Sequence, residues 1–198
     1  MDITLQAPLE ASRAKRLKAA TNDTHDRLDK RIMAAEPFAS VENYGQFLSV
    51  QYQFHRDIDG LYANGQLREL LPDLAERRRL DQIRQDIEDL GLPLPAAGGE
   101  VPFDAGTSVD LPTALGWLYV AEGSNLGAAF LFKMARALGL DENRGARHLA
   151  GHPDGRARHW RAFTGALDAL ALDEDEELRL ADGARAAFRR VHGLVETA

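Results

Sequence analysis

Apolar positions along the chain recur at helical spacing, and no stretch keeps the strict alternation of a half-buried strand. From about Glu10 to Met33, Leu17, Thr21, His25, Leu28 and Ile32 share one face, which predicts an amphipathic helix with a weak middle at TND, 21 to 23. Pro37 stops that element. Ser40 is a good N-cap for the next, whose inward side carries Tyr44, Phe47, Leu48, Gln51, Phe54, His55, Ile58 and Leu61. A short helical piece ends near Pro72, and Leu80, Ile83, Ile87 and Leu90 mark a further helix with Gly91 as its stop. After a Pro- and Gly-rich connector, 91 to 108, Asp110 caps a long helix that is apolar almost all round and runs to Gly139, with Pro112 in its first turn. An irregular corner, 142 to 155, leads to a helix around Arg158 to Leu170. The DEDEE run at 173 to 177 then sets carboxylates at the positive end of a last helix, whose inward residues are Leu180, Ala184, Phe188, Val191 and Val195. The acidic run is thus a solvated helix start. The whole pattern predicts an all-α protein of one domain over 1–198, with residues 1–9 as a disordered lead.

Composition narrows the chemistry. A formal charge of -7 over 198 residues argues against broad nucleic-acid or anionic-membrane binding, though not against a local basic pocket. With no cysteine, disulfides, thiolate ligands and iron–sulfur clusters are excluded. Neither a signal-peptide core nor an apolar run of membrane-span length is visible, so a cytoplasmic protein is the expectation.

Two features remain to be explained. Gly123 and Gly127 interrupt the most helix-like stretch, EGSNLGAAF, where each glycine costs roughly 1 kcal/mol against alanine. Either another helix or a ligand comes close to that backbone. His25 and His55 each fall on an apolar face, where an imidazole needs a partner, and each has an aspartate one turn later, Asp29 and Asp59. Spacing alone does not choose between them. The other four histidines show no metal-site spacing and read as surface or structural residues. There is no catalytic triad, and GSNLG sits inside a helix instead of opening one, so it is no phosphate loop. A flat ligand lying on the bare backbone, with a histidine on its other side, would most naturally be haem.

LGWLYVAEGSNLGAAFLFK (115 to 133), with NDTHDRLD (22 to 29), EPFAS (36 to 40) and ENRGARHL (142 to 149), resembles the short soluble bacterial haem oxygenases, from about Arg13 to Leu194. The resemblance implies a helical bundle with haem between a proximal N-terminal helix and a Gly-kinked distal helix. It implies His25 as the axial haem-iron ligand, with Asp29 behind it, and Gly123 and Gly127 as the glycines that let the distal backbone reach the haem. His55 then becomes structural. Haem would be cofactor and substrate at once, opened by O2 and external electrons to biliverdin, CO and ferrous iron. A redox donor such as a ferredoxin or flavin reductase would supply the electrons to a monomer. Lys18 and Tyr119 match the propionate-contacting residues of members that cut at the α position, which implies biliverdin IXα. The lysines of members with shifted regiochemistry correspond to Met33 and Met134. Arg158 and Arg161 are weaker candidates for the other propionate. Where many relatives have a water-ordering Asp after the first glycine, this chain has Ser124, so no carboxylate stands there; either Ser124 orients the water or deeper groups replace the Asp. Two other classes stay open beside the enzyme: a non-catalytic haem carrier or sensor on the same fold, and a structural helical interaction protein.

Overall fold

The computed structural model describes residues 12–71, 73–96 and 101–198, so the expectation for residues 1–9 lies outside it. Eight α-helices are described: α1 Arg13–Ala34, α2 Val41–Asp57, α3 Asp59–Ala63, α4 Gly65–Leu70, α5 Leu80–Asp89, α6 Leu111–Ala137, α7 Arg156–Asp168 and α8 Glu174–Thr197. Short 3-10 turns lie at Leu74–Arg77 and Arg147–Leu149, and no strand forms among the described residues.

Local chemistry fixes the ends of these helices. Ser40 accepts from the Asn43 amide at 3.1 Å and starts α2. Asp110 does the same for α6 through Thr113. At α8, Asp173 and Glu176 form a reciprocal capping box, so the first acidic residues work at the helix start as read from the sequence. The second inward face does not continue as one helix to Leu61: α2 stops at Asp57 and α3 takes over.

Three anchors hold the walls of the functional site. Arg13, buried at the start of α1, donates its backbone amide to Asp168 at 2.7 Å and its guanidinium to Glu177 at 2.8 Å and to the Leu167 and Leu170 carbonyls. One residue thus ties α1 to the end of α7 and to α8. Buried Asp57 pairs with Arg190 at 2.6 Å and joins α2 to α8. The third anchor is a glycine crossing. A Cβ on Gly116 would lie 2.2 Å from the Leu180 carbonyl oxygen, and one on Gly183 would lie 2.4 Å from that of Thr113. Backbone meets backbone there, so α6 and α8 can cross only without side chains at these two positions. The apolar core runs along this crossing and includes Leu115, Leu118, Leu180 and Ala184, all essentially inaccessible.

Candidate functional site

Gly123 and Gly127 lie seven and eleven residues beyond that crossing, and helix packing does not require them. A Cβ on Gly127 would meet nothing within 4 Å, and one on Gly123 would touch only the edge of the Trp160 ring at 3.7 Å. The α-helix runs through both positions without a break. What faces them is a cavity of about 710 Å³, in the range of small-molecule and cofactor sites. One wall is α1, through Lys18, Thr21, His25 and Asp29; the opposite wall is α6, through Tyr119, Gly123, Ser124 and Gly127. Apolar residues of α2 and α8, among them Phe54 and Phe188, close the inner end.

The structure therefore brings together most of the residues picked out in the sequence. His25 is not sealed in a core: its side chain is about half exposed, on the cavity wall. Its ring edge packs against Phe188 at 5.7 Å between centroids. Its Nδ1 lies 3.3 Å from the Asp29 carboxylate, which leaves Nε2 as the ring nitrogen able to bind a ligand. His55 is fully buried and Asp59 is not its partner, because Asp59 pairs with Arg78 at 2.6 Å. Lys18 and Tyr119 both line the cavity, and the Tyr119 hydroxyl donates to the Ala14 carbonyl at 3.3 Å. Burial raises the Tyr119 pKa, so the phenol stays a hydrogen-bond donor at neutral pH. Met33 also lines the cavity; Met134 does not. Ser124 turns its hydroxyl back to the Ala121 carbonyl at 2.7 Å.

Arg158 and Arg161 are not brought to the cavity. The inward face of α7 is Arg156, Trp160, Phe163 and Leu167, at helical spacing, and the two arginines lie on its exposed side. The arginine that reaches inward is Arg156, which donates to the Asn125 carbonyl of α6 at 2.8 Å.

Sequence reasoning missed the polar inner side of the cavity. His55, Arg79 and His148 line it. Asp86, wholly buried, holds His148 through Nδ1 at 2.8 Å and through its amide at 3.0 Å, while His148 Nε2 and His55 Nδ1 have no hydrogen-bond partner. Arg79 donates to the His148 carbonyl at 2.5 Å. Burial lowers the pKa of both imidazoles, that of His55 to about 3 with Arg79 and His148 adding to the effect, so both are neutral at pH 7. His148 sits in the irregular corner, where no periodicity signals burial, and Arg79 ends an arginine run that reads as solvated charge.

The bare glycine backbone opposite one exposed imidazole fits haem: the histidine offers an axial nitrogen, the glycines leave room for a flat ring, and Lys18 offers a positive charge to a propionate. An all-helical fold around one such cavity defines a class of haem-handling protein. The family model described as Heme oxygenase matches residues 11–197, nearly the whole chain, and the chain belongs to the heme oxygenase family. It is similar to Heme oxygenase PigA of Pseudomonas aeruginosa, 48% identical over 184 residues that cover 93% of this chain and 91% of that one. Among solved structures, it matches the NO- and CO-bound heme oxygenase from Neisseria meningitidis with a TM-score of 0.88 and 45% identity, over 94% of this chain and 91% of that one. It also shares its fold with heme oxygenase-1 from the cyanobacterium Synechocystis in complex with heme, with a TM-score of 0.74 and 18% identity, over 94% and 92% of the two chains. No described helix is long and apolar enough to cross a membrane.

Proposed function

We propose that this chain cleaves haem oxidatively to biliverdin IXα, CO and ferrous iron, using O2 and electrons from an external donor such as a ferredoxin or flavin reductase. Haem is then the substrate and supplies the iron at which O2 is activated. The observation that carries this reading is the open space over Gly127, across the cavity from His25. Helix packing explains Gly116 and Gly183 but leaves Gly123 and Gly127 without any other use.

His25 would hold the iron through Nε2, with Asp29 orienting the imidazole from the other nitrogen. A neutral imidazole ligand lacks the electron push by which a thiolate drives O–O cleavage, which suits attack on the ring edge. Gly123 and Gly127 would leave room for the ring to lie close to the α6 backbone on the side away from His25. On the polar inner side Arg79 could donate to water there, and His148, whose ring proton goes to Asp86 from Nδ1, could accept from it at Nε2. Lys18 and Tyr119, both on the cavity wall, set the ring rotation by holding a propionate, and the α isomer follows from that placement. The residues that hold haem in this reading, His25, Lys18 and Tyr119, all come from one chain, which fits a monomer as the working unit, and the cytoplasm is the compartment where such reduced donors are at hand.

The test is an aerobic absorption time course of the protein with one equivalent of hemin, a reductant and catalase, beside His25→Ala. Loss of the haem band with biliverdin appearing, and at least a severe loss of both in the variant, is expected. A stable haem complex that survives reduction in air would replace the enzyme with a carrier or sensor. Failure to bind haem at all would overturn both.

A further inference from the structure

A second, much smaller chamber lies behind α6. It has about 10 Å³ of space, enough for a single water molecule. Glu122, Asn125, His152, His159, Arg156 and Arg79 surround it, and Arg79, Asn125, Leu126 and Trp160 also line the large cavity, so the same side chains form the partition between the two. Glu122 is 3% exposed. One of its oxygens takes a 2.9 Å ion pair from Arg77; the other, Oε1, has no hydrogen-bond partner, although the Asn125 amide lies near enough to affect the carboxyl. Arg79 Nε is likewise unpartnered. On the outer side, the rings of His152 and His159 stand 4.3 Å apart, both only partly buried. His152 Nδ1 accepts from the Asp154 amide at 3.2 Å, which places the neutral ring's proton on Nε2.

We propose that this chamber is a proton inlet to the large cavity: His152 and His159 take protons from solvent, and Glu122 passes them through one bridging water past Arg79. The proposal rests on the haem-cleaving reading, because that chemistry consumes protons. Each oxygen atom that leaves as water takes two protons along with two electrons from the external donor. The inlet moves protons only: an imidazole accepts on one ring nitrogen as it releases from the other, and a carboxylate accepts at one oxygen and gives up the proton again. It places the deeper carboxylate two residues before Ser124, where the sequence lacks an acidic side chain.

The charged and titratable groups facing Glu122 are Arg77 from the 3-10 turn, Arg79 before α5, Tyr62 from α3, His152 from the corner, and Arg156 and His159 from α7. Asp73 lies behind Arg77 at 3.8 Å. Burial raises the Glu122 pKa, and Arg77, Arg79 and the Asn125 amide only partly oppose it, so the proton affinity stays above that of a free carboxylate. His159 is held at about 4, first by burial and then by Arg77, so it is neutral and free to relay at pH 7.

The experiment compares wild type with Glu122→Gln, Glu122→Asp and His159→Gln in haem turnover, from about pH 6 to 9, in water and in deuterium oxide. Glu122→Gln should slow biliverdin formation by about tenfold or more, enlarge the solvent isotope effect and release more hydrogen peroxide, with haem affinity unchanged. Glu122→Asp should recover part of the rate, and His159→Gln should slow turnover and enlarge the solvent isotope effect across the range. The second residue keeps the test usable if Glu122→Gln, which leaves Arg77 buried without its counter-charge, does not fold. A second readout is the infrared carboxyl band of the haem-free protein, which should be lost in Glu122→Gln and should shift in deuterium oxide more slowly in His159→Gln. Wild-type rate, isotope effect and peroxide yield in all variants would overturn the inlet while leaving haem cleavage intact. If wild type makes no biliverdin, the enzymatic reading falls, and a carboxyl band that shifts in deuterium oxide as fast in His159→Gln as in wild type overturns the inlet on its own terms.

Discussion

Replacing Gly127 with alanine should change stability and haem affinity in opposite directions. In the haem-free protein the new methyl group meets nothing within 4 Å, and the backbone is already helical. The substitution therefore gains the helix propensity of alanine, about 1 kcal/mol. Unfolding entropy of about 2.1 cal/mol/K per residue over 198 residues converts that into a Tm increase of roughly 2–3 °C. With haem present, the same methyl occupies the space that the flat ring needs. A loss of about 1.4 kcal/mol, tenfold in Kd, is the least expected. Gly116→Ala is the control, because its Cβ would sit 2.2 Å from the Leu180 carbonyl oxygen and 2.5 Å from the Ala184 amide nitrogen. It should cost about 1–3 kcal/mol and lower Tm whether haem is present or not. Calorimetry of the haem-free variants and a haem titration by absorbance give both numbers. Gly127→Ala that fails to stabilise the haem-free protein, or that binds haem as wild type does, would refute the assignment of Gly127 to a ligand face.

Three further outcomes follow from the site. Lys18→Ala and Tyr119→Phe should each spread the product from biliverdin IXα toward other isomers; a wild-type product dominated by β or δ on chromatography would remove the basis for that reading. Ser124→Ala should keep turnover and coupling within about twofold, because the Ser124 hydroxyl is spent on the Ala121 carbonyl; a large rise in peroxide release would show that it serves a water instead. Acid stability should depend on His55, held at about 3 by burial. Between its ordinary value near 6.5 and about 3, the unfolded chain binds a proton that the folded one does not. Stability is thus fully present above about pH 6.5 and falls as pH drops through that window, by up to about 1.4 kcal/mol per pH unit from this residue. Denaturant unfolding of His55→Gln should show a correspondingly shallower slope, and an unchanged slope would mean that the imidazole is not buried neutral.

Much of this was legible from the chain, and the reason differs by residue. Helix starts at Ser40, Asp110 and Asp173 are chemical events within four residues, so local sequence suffices to find them. Gly123 and Gly127 announced a close approach but not its cause, because packing and ligand demand the same absence of a side chain. Only the distance from Gly116 to α8 separates the two cases. His25 and His55 looked alike for a similar reason: each sits on an apolar face with an aspartate one turn on. The difference is that the partner of Asp59 comes from Arg78, nineteen residues away. Glu122 is the instructive miss. A carboxylate in the middle of a helix read as apolar all round was itself the signal, and its meaning depended on Arg77 folding back over a 45-residue separation. Arg158 and Arg161 failed because a charge near a site in sequence can still be on the wrong side of its helix.

The glycine crossing also has a mechanical consequence. At Gly116 and Gly183, α6 and α8 are locked backbone to backbone, with no side chain between them to deform. Two turns further along, a Cβ at Gly123 would touch only a ring edge and one at Gly127 nothing, while Ala128 and Ala135 pack among apolar side chains and Arg156 holds the Asn125 carbonyl. The helix is therefore a beam fixed by backbone contact along its first half and held through side chains along its second. A ligand in the cavity would press on the half of α6 where side chains, not backbone, bear the load, so side chains could yield there while the crossing keeps its place.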